Sequence, residues 1–209
     1  MVAVVRFPGS LDHESAVRAV RAAGGEATYA WHADHELPDG TGAVIIPGGF
    51  SYGDHLRPGA IASRSPIMDA VRRHAEAGGL VLGICNGFQV LCEAGLLPGV
   101  LRTNATTAFV CRQVELEVLD HDTPFTRGLG SALSVPIKNH DGAWFGNPQR
   151  ARIVLSYGAE NPLGSVASAA GVANTAGNVL GLMPHPEEAV DPLLGSTDGL
   201  GLFTALVHA

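Results

Sequence analysis

Three short apolar runs, each ended by a tight turn, limit the architectures open to this chain more than any other feature. Val2–Arg6 leads into Phe7-Pro8-Gly9, Ala43–Ile46 into Pro47-Gly48-Gly49, and Leu80–Ile84 into Cys85. Apolar runs of this length without polar alternation predict strands buried on both faces, as in a parallel sheet covered by helices. The segments between them have helical spacing. Ala16, Val17, Val20 and Ala23 recur on one face over residues 13–23, with Glu14 four residues before Arg18 and Ser10 or Asp12 placed to cap the helix. Ser65-Pro66 opens a second helix, whose face bears Ile67, Ala70, Val71 and His74 until Gly78-Gly79 ends it. A third is predicted from about 87 to 94, closed by Gly95. Strand–helix alternation implies right-handed crossovers and chemistry at the carboxyl ends of the strands.

The second half changes character. Val114, Leu116 and Val118 alternate with polar residues, and apolar runs at 133–137 and 153–157 lie between Pro and Gly turns, which predicts antiparallel strands. Residues 178–183 are apolar again and should rejoin the main sheet, and a last helix is expected near 202–208. With no linker or repeat, residues 1–209 read as a single domain. Hydrophobic residues make up 46% and charged residues 16%, with 27 glycines, so the chain is globular and rich in turns. A formal charge of -7, with Lys138 as its one lysine, argues against a nucleic-acid partner. The apolar start at residues 1–5 is too short for a signal-peptide core or a membrane span. Three cysteines without Cys-x-x-Cys spacing fit a reducing compartment, so cytoplasmic localisation is expected.

Cys85 stands between Gly83 and Gly87 at a strand-to-helix junction, the setting of a nucleophile elbow. A helix N-terminus favours the thiolate, and the Asn86 N–H is a natural oxyanion donor. Cys92 and Cys111 read instead as core residues. Among nine histidines, His185 ends an apolar strand between Pro184 and Pro186, with Glu187 spaced to orient its ring. His55 and His140 lie near glycine turns as candidate neighbours of the site; the other six, His74 among them, read as surface residues. The glycine-rich turn after Ile46 could aim the Gly49 and Phe50 N–H groups at one oxyanion. Neither Walker nor dinucleotide spacing is present.

Together Phe7-Pro8-Gly9-Ser10, Pro47 to Asp54, Gly83-Ile84-Cys85-Asn86-Gly87-Phe88-Gln89 and the segment Gly177 to Glu187 resemble the class I, cysteine-triad glutamine amidotransferases. Within that class the chain is similar to the glutaminase subunits of phosphoribosylformylglycinamidine synthase, with Phe109-x-Cys111-Arg112 and Asn161-Pro162-x-Gly164-Ser165 also matching. The resemblance implies a flavodoxin-like α/β fold, with a mostly parallel sheet, helices on both faces and a smaller antiparallel section. It implies Cys85 as nucleophile, His185 as acid/base, Glu187 as its orienting partner, Gly49, Phe50 and Asn86 around the oxyanion, and Gln89 on the glutamine. It further implies that ammonia made here passes to a large synthetase subunit, which uses MgATP to convert formylglycinamide ribonucleotide to its amidine in purine synthesis. A small third subunit would bridge the pair. No metal or cofactor is expected in this chain, and exposed apolar surface near the site should mark the docking face.

The chain departs from that pattern in places. Leu11-Asp12-His13 stands where Asn-Cys-Asp is usual, and Pro136-Ile137-Lys138-Asn139-His140-Asp141-Gly142 where Pro-Ile-Ala-His-Gly-Glu-Gly is common, so no role is carried over to His140. Glu188 replaces a usual Arg. The rival readings are a stand-alone cysteine hydrolase of the same fold, which the late Pro-His-Pro-Glu segment disfavours, and a catalytically silent binding module.

Overall fold

A computed structural model describes residues 1–208. The elements in chain order are β1 (Val2–Arg6), α1 (His13–Ala22), β2 (Ala27–Trp31), β3 (Ala43–Ile46), α2 (Ile67–Glu76), β4 (Leu80–Ile84) and α3 (Asn86–Glu93). They continue with β5 (Val100–Arg102), β6 (Val110–Val118), β7 (Ala132–Asn139), β8 (Ala143–Phe145), β9 (Arg152–Tyr157), β10 (Ala169–Ala173), β11 (Val179–Leu182) and α4 (Leu200–Val207). The main sheet has nine strands in the order β2-β1-β3-β4-β11-β10-β9-β6-β7. From β2 to β11 neighbouring strands are parallel, and from β11 to β7 they are antiparallel. The antiparallel section is therefore continuous with the parallel one, and only β5 and β8 pair separately. No helix among the described residues is long and apolar enough to cross a membrane.

The predicted parallel strands form because their side chains are apolar on both faces; every residue of β3 and β4 is buried. α1 and α4 pack on each other over β1, β2 and β3, while α2 packs on β4 and α3 on β3, β4 and β11. Glycines let α3 lie close to the sheet. Gly83 and Gly181 are register partners on adjacent strands, and a Cβ on either would overlap Leu91 or Phe88 of α3. This close approach holds the N-terminus of α3 at the carboxyl ends of β3, β4 and β11.

Four local expectations are corrected. β2 was not foreseen, because this edge strand is only partly buried and lacks an apolar run. Neither proposed cap holds α1: the Asp12 side chain caps nothing, and Ser10 Oγ accepts the Phe7 N–H at 3.0 Å. Cys111 is exposed rather than in the core, since β6 buries Val114, Leu116 and Val118 and turns the odd-numbered positions outward. His74 is half-buried rather than a surface residue, and burial lowers its pKa.

Candidate active site

β4 delivers Cys85 into a backbone conformation that L-residues rarely adopt, with φ 52° and ψ -106°. The flanking glycines have a steric cause. A Cβ on Gly87 would overlap the Ile46 carbonyl oxygen, and one on Gly83 would lie 2.8 Å from the backbone carbon of Gly87. Leu182 accepts the Cys85 N–H at 2.8 Å, and the Cys85 carbonyl accepts N–H groups of Phe88 and Gln89 at 3.0 and 3.2 Å. The thiol is thereby fixed at the start of α3, 3.9 Å from the Lys138 carbonyl oxygen. Asn86 and Gly87 occupy the first helical positions, whose N–H groups have no acceptor within the helix.

β11 runs beside β4 and ends at the turn that holds His185 and Glu187, both fully buried. The His185 N–H donates to the Pro136 carbonyl at 2.8 Å, which ties this turn to β7. Nδ1 is 2.6 Å from Glu187 Oε1, so Nδ1 donates its proton to the carboxylate and Nε2 is left to face other groups. Nε2 is buried without a hydrogen-bond partner in the protein. Burial works against the imidazolium, but the Glu187 carboxylate, then the Cys85 thiolate, outweigh it and hold the His185 pKa well above the usual histidine value. Cys85 and His185 line the same cavity. A hydrolytic amidotransfer site needs that arrangement: a nucleophile, a base aimed at it and a carboxylate behind the base.

Side-chain bonds tie the glycine turn after β3 to α3, and α3 to the loop after β7. Asn86 Oδ1 accepts the Ser51 N–H at 3.1 Å, Asn86 Nδ2 donates to Gln89 Oε1 at 2.9 Å, and Gln89 Nε2 donates to the Asp141 carbonyl at 2.6 Å. The Asn86 and Gln89 side chains are thus frame members of the site. One expectation fails. The Phe50 N–H is not free to bind an oxyanion, because it donates to the Gly9 carbonyl at 2.9 Å. This follows from the isolated bridge between Ser10 and Gly49, which lays the glycine turn against the loop after β1.

A cavity of about 110 Å³ opens beside Cys85 and is lined by Gly49, Phe50, Gln89 and His185 together with Leu11, Asp12, Asp54, Phe109, Lys138, Asn139, His140 and Asp141. Of the two candidate neighbour histidines, His140 lines it, exposed and 3.0 Å from Asp141 Oδ2, whereas His55 does not. Sequence reasoning missed Asp54, Asn139 and Asp141. Asp54 has its carboxyl pushed up to about 6, first by burial and then by the charge of Asp141. The Asn139 side-chain amide is buried with neither its nitrogen nor its oxygen paired in the protein. The usable signals were the motif segments themselves: Asp54 ends the Pro47 to Asp54 turn, and Asn139 and Asp141 lie within Pro136 to Gly142. Burial, then the charge of Glu93, pushes the Cys92 thiol pKa up, away from the thiolate form.

Comparison with known proteins agrees with this geometry. Residues 1–198 match the family of CobB/CobQ-like glutamine amidotransferase domains. A Rhodopseudomonas palustris phosphoribosylformylglycinamidine synthase subunit PurQ is 48% identical over 224 residues, covering 99% of this chain and 96% of that protein. Its Cereibacter sphaeroides counterpart is 50% identical over 214 residues, covering 98% and 96%. Among solved structures, a chain of PurLQS from Thermotoga maritima superposes with a TM-score of 0.93 at 41% identity, covering 99% of this chain and 97% of that one. With identity near one half sustained along almost the whole length, the chain belongs to the PurQ family of phosphoribosylformylglycinamidine synthase subunits, built on a glutamine amidotransferase domain.

Proposed function

We propose that Cys85, His185 and Glu187 hydrolyse glutamine and that the ammonia is used by a synthetase subunit to convert formylglycinamide ribonucleotide to formylglycinamidine ribonucleotide. The observation that supports this most strongly is the buried 2.6 Å bond from His185 Nδ1 to Glu187, which leaves Nε2 unspent beside a thiol on a strained elbow. The Cys85 thiolate attacks the side-chain carbonyl carbon of glutamine, and the carbonyl oxygen gathers the negative charge. N–H groups of Asn86 and Gly49 are the donors for that oxyanion. His185 passes its proton to the departing nitrogen, the C–N bond breaks, and a glutamyl thioester remains on Cys85. Water, deprotonated by His185, then cleaves the thioester to glutamate and regenerates the thiol.

No step in this scheme calls for a metal or cofactor within the chain. MgATP belongs to the synthetase step, and phosphate-binding spacing is absent from this sequence. Three apolar side chains ring the mouth of the cavity, Leu11 at 61%, Phe50 at 48% and Phe109 at 53% exposure. Their exposure supports docking of the large synthetase subunit over the site, with a small bridging subunit completing the complex. Three cysteines without Cys-x-x-Cys spacing, none bonded to another, support a cytoplasmic location.

The deciding experiment is Cys85→Ala in the assembled complex. Synthesis from glutamine should fall to background while synthesis from ammonium salts persists. Continued glutamine turnover in that variant would refute the assignment of the nucleophile.

A further inference from the structure

Charged side chains that the triad does not use meet directly beside His185. Asp12 Oδ2 lies 3.7 Å from His185 Nδ1, and Asp12 Oδ1 accepts Lys138 Nζ at 2.8 Å. Lys138 Nζ is also 3.6 Å from Glu188 Oε1, while Glu188 Oε2 accepts from Arg18 at 3.0 Å. These groups come from separate places in the chain: the entry to α1, the end of β7 and the turn after β11. Asp12, Lys138 and Glu188 are also positions where the sequence departs from the pattern it otherwise resembles, and these three departures meet in space. The single lysine of the chain is spent here. Gly48 leaves the room for it, since a Cβ there would overlap Asp12 Oδ2 and lie 2.9 Å from His185 Cε1.

Asp12 is almost wholly buried and caps no helix, so its carboxylate has no role in local structure. Left alone, it would add a second negative charge to an imidazole that Glu187 already holds. Lys138 cancels that charge, and its own ammonium is kept protonated: burial opposes the charge, but Asp12, then Glu187 and Glu188, outweigh burial. The cluster of Asp12, His185 and Glu187, whose ligand atoms lie within 4.8 Å of one another, therefore has its cation supplied by the protein. We propose that Asp12 and Lys138 are a positioning pair for the catalytic imidazole: Asp12 braces Nδ1 from the side opposite its own ion pair, and Lys138 balances the charge so that Glu187 governs the proton on His185. The groups facing His185 are then Glu187, Asp12 and Cys85, with Lys138 behind Asp12 and Glu188 behind Lys138, and Cys85 is also faced by Tyr157 of β9, whose hydroxyl pKa is raised first by burial and then by the Cys85 charge.

The inference rests on the reading of Cys85 and His185 as nucleophile and base. Its test uses a readout independent of glutamine: the pH dependence of Cys85 alkylation by iodoacetamide in the full chain, with the Cys85 peptide quantified by mass spectrometry to exclude Cys92 and Cys111. Lys138→Met removes a positive charge and should raise the alkylation midpoint by roughly half to one pH unit; Asp12→Asn removes a negative charge and should lower it by a similar amount. The double variant should return close to the wild-type midpoint, and Lys138→Arg should leave it unmoved. Single variants that shift nothing, or shift the same way, overturn the proposal, as does a double variant that keeps either displacement. If Lys138→Met does not fold, Asp12→Asn decides alone, and an unmoved or raised midpoint refutes the pair. Midpoints as expected in a chain that never turns over glutamine would sink the functional reading and leave the pair standing.

Discussion

The position of one proton decides most of the chemistry at the residue scale. His185 Nδ1 is committed to Glu187 at 2.6 Å, and the carboxylate and thiolate together hold the imidazole pKa well above its usual value despite burial. The alkaline limb of glutamine hydrolysis should accordingly lie above the ordinary histidine range. Glu187→Gln removes the charge that raises the pKa and replaces an acceptor-only carboxylate by an amide whose NH2 can also donate, so the tautomer is no longer fixed. It should lower kcat roughly 10²- to 10⁴-fold with a smaller change in KM, and should move the alkaline limb downward; an unchanged pH profile would count against Glu187 as the orienting group. Asp54 offers a stability test. Its carboxyl, raised from 3.8 to about 6 by burial and by Asp141, binds its proton more tightly in the folded state. Stability attributable to it is therefore lost as pH rises from about 3.8 through about 6. Asp54→Asn should stabilise the chain at pH 7.5 by about 1 kcal/mol, discounted for the solvent that reaches a half-buried carboxyl, with the gain vanishing toward pH 4. Urea unfolding at the two pH values checks it.

Among the elements, the approach of α3 to the sheet positions the site. Gly83, Gly87 and Gly181 remove the side chains that would hold the helix away, and Gly87 does so against a backbone carbonyl, which cannot move aside as a side chain can. Gly87→Ala should therefore cost about 2–3 kcal/mol in urea unfolding and lower the rate of Cys85 alkylation, since shifting α3 disturbs the elbow that places the thiol. A destabilisation under about 0.5 kcal/mol would mean that the turn has slack. β7 works from the other side: its backbone carbonyl at Lys138 approaches the thiol, its Pro136 carbonyl anchors the His185 turn, and its Lys138 side chain meets Asp12. The strands and helices around this core were legible because their apolar spacing is strong. β2 was not, because an edge strand with little buried surface leaves no such pattern. Cys111 was misread because its neighbours are apolar while its phase along β6 points outward.

For the molecule as a whole, the proposed function makes the cavity mouth the docking face. Leu11, Phe50 and Phe109 are exposed around it, and the Phe50 N–H is occupied by Gly9 rather than offered to an oxyanion. With this mouth uncovered the site stays open to water, so an isolated chain should hydrolyse glutamine slowly, and mixing with the synthetase subunit should raise kcat at least about tenfold. Equal rates with and without the synthetase would refute coupling. Phe109→Asp should weaken association of the two subunits, measured by sedimentation, while leaving the fold intact.

By itself the sequence determined the both-face-buried strands, the elbow at Cys85 and the closeness of His185 to Glu187, because apolar spacing, glycine sterics and a two-residue separation act between near neighbours in the chain. Only the tertiary structure decided that the antiparallel strands extend the same sheet, that Phe50 donates to Gly9, and that Asp12 and Lys138, 126 positions apart, close an ion pair beside His185. Those contacts join residues that share no element, and a charge finds its partner only once packing has brought the two out of water together.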